Sequence, residues 1–271
     1  MTQQNYFLAI IEKIIRSNLY LFIFFRYIAN KYFSKYIFET EFKILNILKK
    51  KNYFVNKKKV IIDIGANDGI SYKSIRNFIK LTPIISFEPQ KKKYKELITF
   101  KKNDANYKVY NFGLSYKKNT SNLYVPYFKK YSLSPFAGVN KDFVISRIKK
   151  SLFVKNIEKK LIIKSNKIKL DKLDKYKLNP AFIKIDIEGH EYECILGAIN
   201  TIKTNKPILL VEYNSELNNK ILRILKNFNY KAYYYDNRVN KLKLHNGKKV
   251  FNIFYIDKNK ANIIQNNYDF N

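Results

Sequence analysis

A short turn with a glycine at each end and an acid inside it follows an apolar run at residues 60–64. The run Val-Ile-Ile-Asp-Ile leads into Gly65-Ala66-Asn67-Asp68-Gly69, and a segment of helical character begins at Ile70. This order is typical of a buried parallel strand, a tight turn and the start of a helix. Because glycine has no Cβ atom, Gly65 and Gly69 let the backbone adopt positive φ angles and approach a ligand closely. The start of the helix offers that ligand free N–H groups.

The spacing of these glycines excludes two common nucleotide motifs. A dinucleotide fingerprint has glycine at its first, third and sixth positions, but counted from Gly65 the third and sixth are Asn67 and Ile70. A phosphate-binding loop would end in Gly-Lys-Ser/Thr, which this turn lacks. The next apolar run ends in Glu88, nineteen residues after Gly69. An acid at the tip of a second strand suits the two hydroxyls of a ribose.

A second polar cluster, Asp186-Ile187-Glu188-Gly189-His190-Glu191, follows another apolar run. Ligands of open α/β sheets bind at the carboxyl ends of the strands, so this cluster and the glycines are expected to face one crevice. His190 is the predicted general base, because an imidazole pKa of about 6.5 suits proton abstraction near neutrality. Alternatively, His190 only begins the next helix, hydrogen-bonded to Glu188. Asp186 and Glu188 complete the predicted catalytic set.

The carboxylates of this cluster are also candidates for a metal site. Asp186 is expected to orient the acceptor or the methionine moiety, and Glu188, Glu191 and Glu212 could join it or hold Mg²⁺ or Ca²⁺, which prefer oxygen ligands. Carboxylates along a strand end are common without a metal, and the prediction is that none is bound.

Five segments together resemble the FkbM type of class I S-adenosylmethionine-dependent methyltransferase. They occur in the family's order over roughly residues 60–256: Asp63–Gly69, Phe87–Pro89, Asn111–Leu114, Ile183–Glu191 and Leu210–Tyr213. The resemblance implies S-adenosylmethionine as cofactor, with its methionine end on the turn, its ribose on Glu88 and its adenine along Asn111–Leu114. The implied cofactor-binding residues are Asp63, Gly65, Ala66, Asn67, Gly69, Glu88, Asn111, Gly113, Leu114 and Asp186.

The acceptor is expected to be a hydroxyl. Enzymes that methylate exocyclic amines carry an Asn/Asp-Pro-Pro-aromatic turn after the fourth strand, where this chain has Asp186-Ile187-Glu188-Gly189. The family resemblance implies O-methylation of a carbohydrate, a glycan or a similar small molecule. It also implies that the region 115–180 helps to form the acceptor pocket. Serines in this region are equally typical of loops that bind no substrate. The expected substrate-binding residues are Ser132, Ser134, Glu191 and Glu212.

The composition leaves a further function class open. A net charge of +32 fits an RNA-binding module or an RNA 2′-O-methyltransferase. The abundant Lys, Asn, Ile, Tyr and Phe also share A/T-rich codons, so genome composition accounts for the charge and nucleic acid is not the expected partner. The single cysteine, Cys194, excludes an internal disulfide and fits a reducing compartment. The oligomeric state stays open.

Apolar runs alternate with helical patterns from Val60 onward, which predicts an α/β fold. The expected architecture is Rossmann-like and doubly wound, with a mostly parallel seven-stranded sheet, an antiparallel C-terminal edge and an N-terminal helical extension. Asn246-Gly247 predicts a type I′ hairpin turn at that edge. The predicted domains are a helical extension at 1–56, a methyltransferase domain at 57–258 with an insertion at 115–180, and a polar, loosely held tail at 259–271.

Residues 6–38 are rich in aromatic and aliphatic side chains with interspersed Arg and Lys. The run Leu19–Phe25 is shorter than the roughly 20 apolar residues of a membrane-spanning helix, and no secretory signal is recognised, so a cytoplasmic location is expected. The segment suits either peripheral contact with a membrane surface or packing on the main domain. A non-catalytic, membrane-attached accessory protein of glycan assembly is the corresponding alternative function.

Overall fold

The structure is a computed structural model that describes residues 11, 13–32, 40–54 and 58–265. The chain divides into two compact units. The smaller unit lies within residues 1–34 and 122–167, and the larger unit lies within residues 35–121 and 168–271.

Strands and helices alternate through most of the described chain. The strands are β1 (Val60–Ile64), β2 (Ile84–Phe87), β3 (Tyr107–Tyr110), β4 (Gly113–Leu114), β5 (Asn119–Phe128), β6 (Tyr131–Ser132), β7 (Ile162–Asp171), β8 (Pro180–Ile185), β9 (Ile208–Glu212), β10 (Tyr230–Asp236), β11 (Lys241–Leu244) and β12 (Asn252–Asp257). The helices are α1 (Leu19–Tyr32), α2 (Ile44–Lys50), α3 (Ile70–Phe78), α4 (Lys91–Ile98), α5 (Lys141–Ser151), α6 (Ile157–Lys160), α7 (Glu191–Leu196), α8 (Ile199–Asn205), α9 (Ser215–Lys226) and α10 (Lys258–Gln265).

An eight-stranded sheet with the order β11-β10-β12-β9-β8-β1-β2-β3 forms the centre of the larger unit. Neighbouring strands from β9 to β3 in this order are parallel, and β12, β10 and β11 pair antiparallel. The predicted mixed α/β fold with a large, mostly parallel sheet is therefore confirmed.

The core of the larger unit consists of two apolar layers, one on each face of this sheet. Successive residues of a strand point to opposite faces, so Ile61 and Phe182 enter one layer while Ile62 and Ile183 enter the other. All four side chains are fully buried. Burial of both faces explains why the parallel strands are continuous apolar runs in the sequence.

The strand order reverses direction at β1, which lies between β2 and β8. The chain runs from β1 outward to β2 and β3, and then returns to the other side of β1 as β8. Such a reversal opens a crevice at the carboxyl ends of the central strands, where ligands of this fold class bind.

The C-terminal edge differs from the prediction in three respects. The sheet has eight strands and not seven, because β11 extends the edge by pairing with β10. Asn246-Gly247 is not a hairpin turn, since β11 and β12 both pair with β10 and not with each other; the β10–β11 hairpin turns at residues 237–240. The predicted loose tail begins with α10, which buries Ala261 and Ile264. Residues 266–271 lie outside the described residues.

The smaller unit has its own apolar cluster. Leu19 on α1 packs with Leu133, Val144 and Ile148, and Phe22 and Ile23 pack against the same cluster. The amide side chain of Asn140 caps α5 by accepting the N–H of Phe143 at 3.0 Å.

The described part of the segment 6–38 is helical except at Asn18, as expected; residues 6–10, 12 and 33–38 lie outside the described residues. No helix among the described residues is both long and apolar enough to cross a lipid bilayer.

Candidate active site

The turn after β1 combines left-handed backbone with close packing. Gly65, Asn67 and Gly69 have φ angles of 81°, 46° and 79°, a region that is unfavourable for residues with a Cβ atom. A Cβ atom on Gly65 would lie 1.9 Å from the carbonyl oxygen of Asp186, and one on Gly69 would lie 2.4 Å from a ring carbon of Phe100. The chain's own packing therefore requires both glycines, and the turn touches the residue that follows β8.

Glu88, at the tip of β2, holds this turn. Its Oε2 accepts the N–H of Asn67 and its Oε1 accepts the N–H of Gln90, both at 2.8 Å. Burial raises the pKa of Glu88 to about 7, while the two N–H donors oppose this shift. Glu88 and the turn thus lie together, as the sequence predicted. A carboxylate has about four lone-pair sites, so acceptor capacity remains for a ligand.

A buried lysine links the acids of β1 and β8. Lys184 lies beside Asp63 in the strand register, and its Nζ is 3.8 Å from Asp63 Oδ1 and 3.1 Å from Asp186 Oδ2. Ser71 donates its hydroxyl to Asp63 Oδ2 at 2.6 Å. Burial raises the pKa of Asp63, and the charge of Lys184 lowers it. Lys184 and Ser71 were missed as site residues, although a lysine inside an apolar strand is itself a signal of a buried partner.

Three carboxylates at the ends of β8 and β9 form a compact group. Asp186, Glu188 and Glu212 each bring one oxygen within 4.8 Å of the others. Glu188 has a left-handed φ of 52°, which positions it in the turn after β8. These are the residues that could hold a divalent cation, and the prediction that no metal is bound stays a prediction.

His190 lies between two side chains that the sequence analysis did not identify as its partners. Its Nε2 is 3.0 Å from Ser115 Oγ, and its Nδ1 is 3.6 Å from Glu193 Oε2. The alternative considered from the sequence was a hydrogen bond to Glu188; the carboxylate that faces Nδ1 belongs to Glu193 in the first turn of α7, at a distance longer than a hydrogen bond. Burial lowers the pKa of His190, and the charge of Glu193 opposes the shift. The imidazole is therefore expected to be neutral at pH 7 and able to accept a proton.

The segment after β3 packs against the tip of β2. Asn111 donates its amide Nδ2 to the carbonyl oxygens of Glu88 and Pro89, at 3.0 and 3.2 Å. Gly113 and Leu114 are buried and form β4, which pairs with β7. Three aromatic rings surround Phe87: Tyr110, Phe112 and Tyr176. The sequence analysis did not predict this aromatic cluster.

Comparison with known protein families identifies the family of this chain. Residues 63–232, more than half of the chain, match the methyltransferase FkbM domain family. The chain belongs to the FkbM methyltransferase family. This membership confirms the resemblance inferred from the sequence and supports a methyltransferase activity.

Two of the solved structures that are similar to this chain are also methyltransferases by name. Methyltransferase FkbM from Methylobacillus flagellatus KT is 16% identical, with 74% of this chain and 44% of that chain covered and a TM-score of 0.44. Precorrin-6y C5,15-methyltransferase from Geobacter metallireducens GS-15 is 11% identical, with 78% and 84% covered and a TM-score of 0.35. The chain thus spans less than half the length of the Methylobacillus protein. A search of curated proteins found no match.

Within the larger unit, the structure brings most of the predicted FkbM site residues to one edge of the sheet. Ser132 and Ser134 belong to the smaller unit, where Ser132 pairs with Tyr127 in the β5–β6 hairpin and Ser134 is buried. Ala66 is also buried, in the apolar layer beneath the turn. The cofactor and substrate roles of these residues stay predictions.

Glu191, predicted to bind substrate, is buried beneath the turn after β8. Its Oε1 accepts the N–H groups of Ile187 and Gly189, each at 3.1 Å. Burial raises its pKa from 4.5 to about 7. Between these values the folded protein keeps a proton that the unfolded chain releases, so this group's contribution to stability decreases as the pH rises from about 4.5 to about 7.

The variant Glu191→Gln tests this linkage. The free energy of unfolding of the native protein minus that of the variant is expected to fall by roughly 2 kcal/mol between pH 5 and pH 7.5. Urea unfolding at several pH values measures this difference. The exposed Glu216 provides a matched control as Glu216→Gln. A difference for Glu191→Gln that does not change with pH would contradict the assignment.

Proposed function

We propose that this protein is an S-adenosylmethionine-dependent O-methyltransferase that acts on a hydroxyl of a carbohydrate, a glycan or a similar small molecule. The observation that carries the proposal is the 2.8 Å hydrogen bond from the N–H of Asn67 to Glu88 Oε2. It joins the glycine-containing turn to the acid at the tip of β2. A nucleoside cofactor needs these two features at one place, since backbone groups receive one end and a carboxylate receives the ribose hydroxyls.

The charge distribution supports a cationic cofactor at this edge. The chain has a net charge of +32, yet four partly exposed acids lie at or near the carboxyl ends of β1, β8 and β9: Asp68, Asp186, Glu188 and Glu212. S-adenosylmethionine carries positive charges on its sulfur and its amino group. Carboxylates that line a crevice attract such charges, and this donor set therefore fits the cofactor.

The proposed cofactor site uses the residues implied by the family. S-adenosylmethionine would supply an electrophilic methyl group. The turn Gly65–Gly69 would receive its methionine end, with Asp63 beneath it, and Glu88 would bind the ribose. Asn111 would keep the segment before Gly113 and Leu114 in place beside the adenine. Because proximity and alignment supply much of the rate in such transfers, Asp186, together with Glu188, is assigned to orienting the acceptor.

His190 is proposed as the base that accepts the hydroxyl proton. If Nε2–H donates to Ser115 Oγ, the lone pair of Nδ1 is available for the proton, because the 3.6 Å separation from Glu193 is longer than a hydrogen bond. Glu193 Oε2 has no hydrogen-bond partner among the described residues. Its negative charge would stabilise the imidazolium that forms when Nδ1 accepts the proton.

Replacing His190 by alanine is expected to lower turnover by about 10²–10⁴-fold, the usual contribution of a general base. The affinity for S-adenosylmethionine is expected to change less than about threefold, since His190 is not assigned to the cofactor. Turnover and calorimetric affinity are to be measured together. His245, which lies beside Tyr213 and Lys248, provides the control variant His245→Ala. Equal turnover of the two variants would rule out the base assignment.

Calorimetric titration of the purified protein with S-adenosylmethionine tests the proposed function itself. Binding with one site per chain is the expected result. A folded protein that does not bind the cofactor would overturn the proposal. Incubation with a labelled cofactor and a panel of saccharides and hydroxylated small molecules would then identify the acceptor class.

A further inference from the structure

Helix α1 has buried apolar side chains on one side and largely exposed aromatic side chains on another. Leu19 is buried, and Phe22 and Ile23 pack against the same cluster of the smaller unit. In contrast, Tyr20, Phe24 and Tyr27 are exposed by 52%, 56% and 57%. The spacing i, i+4, i+7 places these three on one stripe of the helix. Large exposed apolar side chains in a cluster are typical of an interaction surface.

The turn between β5 and β6 adds positive charge beside this stripe. The ring of Tyr20 packs edge-on against Phe128 at 5.0 Å, and Lys129 Nζ lies 5.2 Å from the centre of the Tyr20 ring. Lys130 lies over Tyr131, which is itself 41% exposed. We call these residues together the aromatic–basic face: Tyr20, Phe24, Tyr27, Lys129, Lys130 and Tyr131.

The sequence around the aromatic–basic face contains no carboxylate. Residues 13–38 and residues 105–141 include neither Asp nor Glu. The first stretch carries five basic residues: Lys13, Arg16, Arg26, Lys31 and Lys35. A surface that combines exposed aromatic rings with positive charge is complementary to an anionic lipid headgroup layer, in which the rings reach the acyl boundary and the ammonium groups stay at the phosphates.

We propose that the aromatic–basic face of the smaller unit docks the protein on an anionic lipid surface. Phe24 and Tyr27 enter the interface between headgroups and acyl chains, and Lys129 and Lys130 contact the anionic headgroups. This inference does not depend on the proposed methyl transfer. For helix α1, part of the segment for which the sequence allowed either membrane contact or packing on the main domain, it assigns membrane contact.

The chain contains no tryptophan, so a single introduced tryptophan is a specific fluorescence reporter. The variant Phe24→Trp is expected to shift its fluorescence emission to the blue when vesicles of phosphatidylcholine and phosphatidylglycerol are added, because the indole leaves water. Phe251→Trp, at a residue that is 79% exposed in the larger unit, is the matched reporter and is expected not to shift. Equal shifts in the two variants, or no shift at Phe24, would overturn the proposal.

Charge-reversal variants distinguish lipid binding through this face from attraction by the protein's overall positive charge. The double variant Lys129→Glu/Lys130→Glu is expected to reduce vesicle co-sedimentation affinity at least about tenfold at physiological ionic strength. Lys248→Glu/Lys249→Glu changes the net charge equally at another exposed site and is expected to reduce it less than about twofold. Equal losses would show attraction by net charge alone and would overturn the proposal.

Two further controls complete the test. Vesicles of phosphatidylcholine alone are expected to bind at least about tenfold more weakly, and equal binding would overturn the anionic assignment. A blue shift of Phe24→Trp that depends on protein concentration without vesicles would identify the face as an interface between copies of the chain. That outcome would also overturn the proposal.

Discussion

Replacing Gly65 by alanine is expected to destabilise the protein by more than about 3 kcal/mol and to abolish cofactor binding. The left-handed φ of 81° alone costs a residue with a Cβ atom about 1–2 kcal/mol. The new Cβ would also lie 1.9 Å from the carbonyl oxygen of Asp186, so the turn after β1 or the end of β8 must move. Urea unfolding and calorimetric titration measure the two effects.

A variant at Gly247 distinguishes the strain of the left-handed backbone from the steric contact with Asp186. It has a φ of 88°, close to that of Gly65, but nothing lies within 4 Å of its Cβ position. Gly247→Ala is therefore expected to cost only about 1–2 kcal/mol and to leave cofactor affinity intact. If the two variants lose the same stability, the contact between the turn and Asp186 is not what requires glycine at residue 65.

Replacing Glu88 by alanine is expected to weaken S-adenosylmethionine binding about a hundredfold. The variant removes the carboxylate proposed for the ribose, and hydrogen bonds to a charged group contribute roughly 1.5–3 kcal/mol each. It also leaves the buried N–H groups of Asn67 and Gln90 without their acceptor. Calorimetric titration measures the affinity, and thermal unfolding measures the loss of stability, which is expected as well.

Two variants separate the ribose contact from the support of the turn. Glu88→Gln keeps an acceptor oxygen in the same volume and is expected to recover part of the stability but not the full affinity. Glu96→Ala removes an exposed carboxylate that pairs with Lys93 and is expected to change neither quantity appreciably. A stable Glu88→Ala protein with unchanged affinity would disprove the ribose assignment.

The parallel strands could be predicted from the sequence because burial on both faces leaves no polar alternation. The apolar run at residues 60–64 matches β1 without adjustment, and the run that ends in Glu88 extends one residue beyond β2. The position of Glu88 beside the turn follows from the same regularity, because parallel neighbours in register end at the same edge of the sheet. Secondary structure and the general location of the site are thus local properties of the sequence.

The partners of the site residues could not be predicted, because they depend on long-range packing. Ser115 contacts His190 from 75 residues away, and Lys184 reaches Asp63 only through the β1–β8 register. Glu191 could be read from its type as a substrate ligand, but its burial depends on how the turn after β8 closes over it. The insertion at 115–180 was the least predictable region, since the long strands β5 and β7 alternate polar and apolar residues only weakly.

The smaller unit is composed of two segments that are far apart in the sequence, within residues 1–34 and 122–167. The ribosome therefore synthesises the first segment long before the second. Leu19 emerges early, but Val144 and Ile148, with which it packs, follow more than 120 residues later. At translation rates of about 5–20 residues per second, the nascent helix waits roughly 6–25 seconds for these partners. During that interval its aromatic side chains are available to chaperones, and the cell must protect them before this part of the chain can complete its fold.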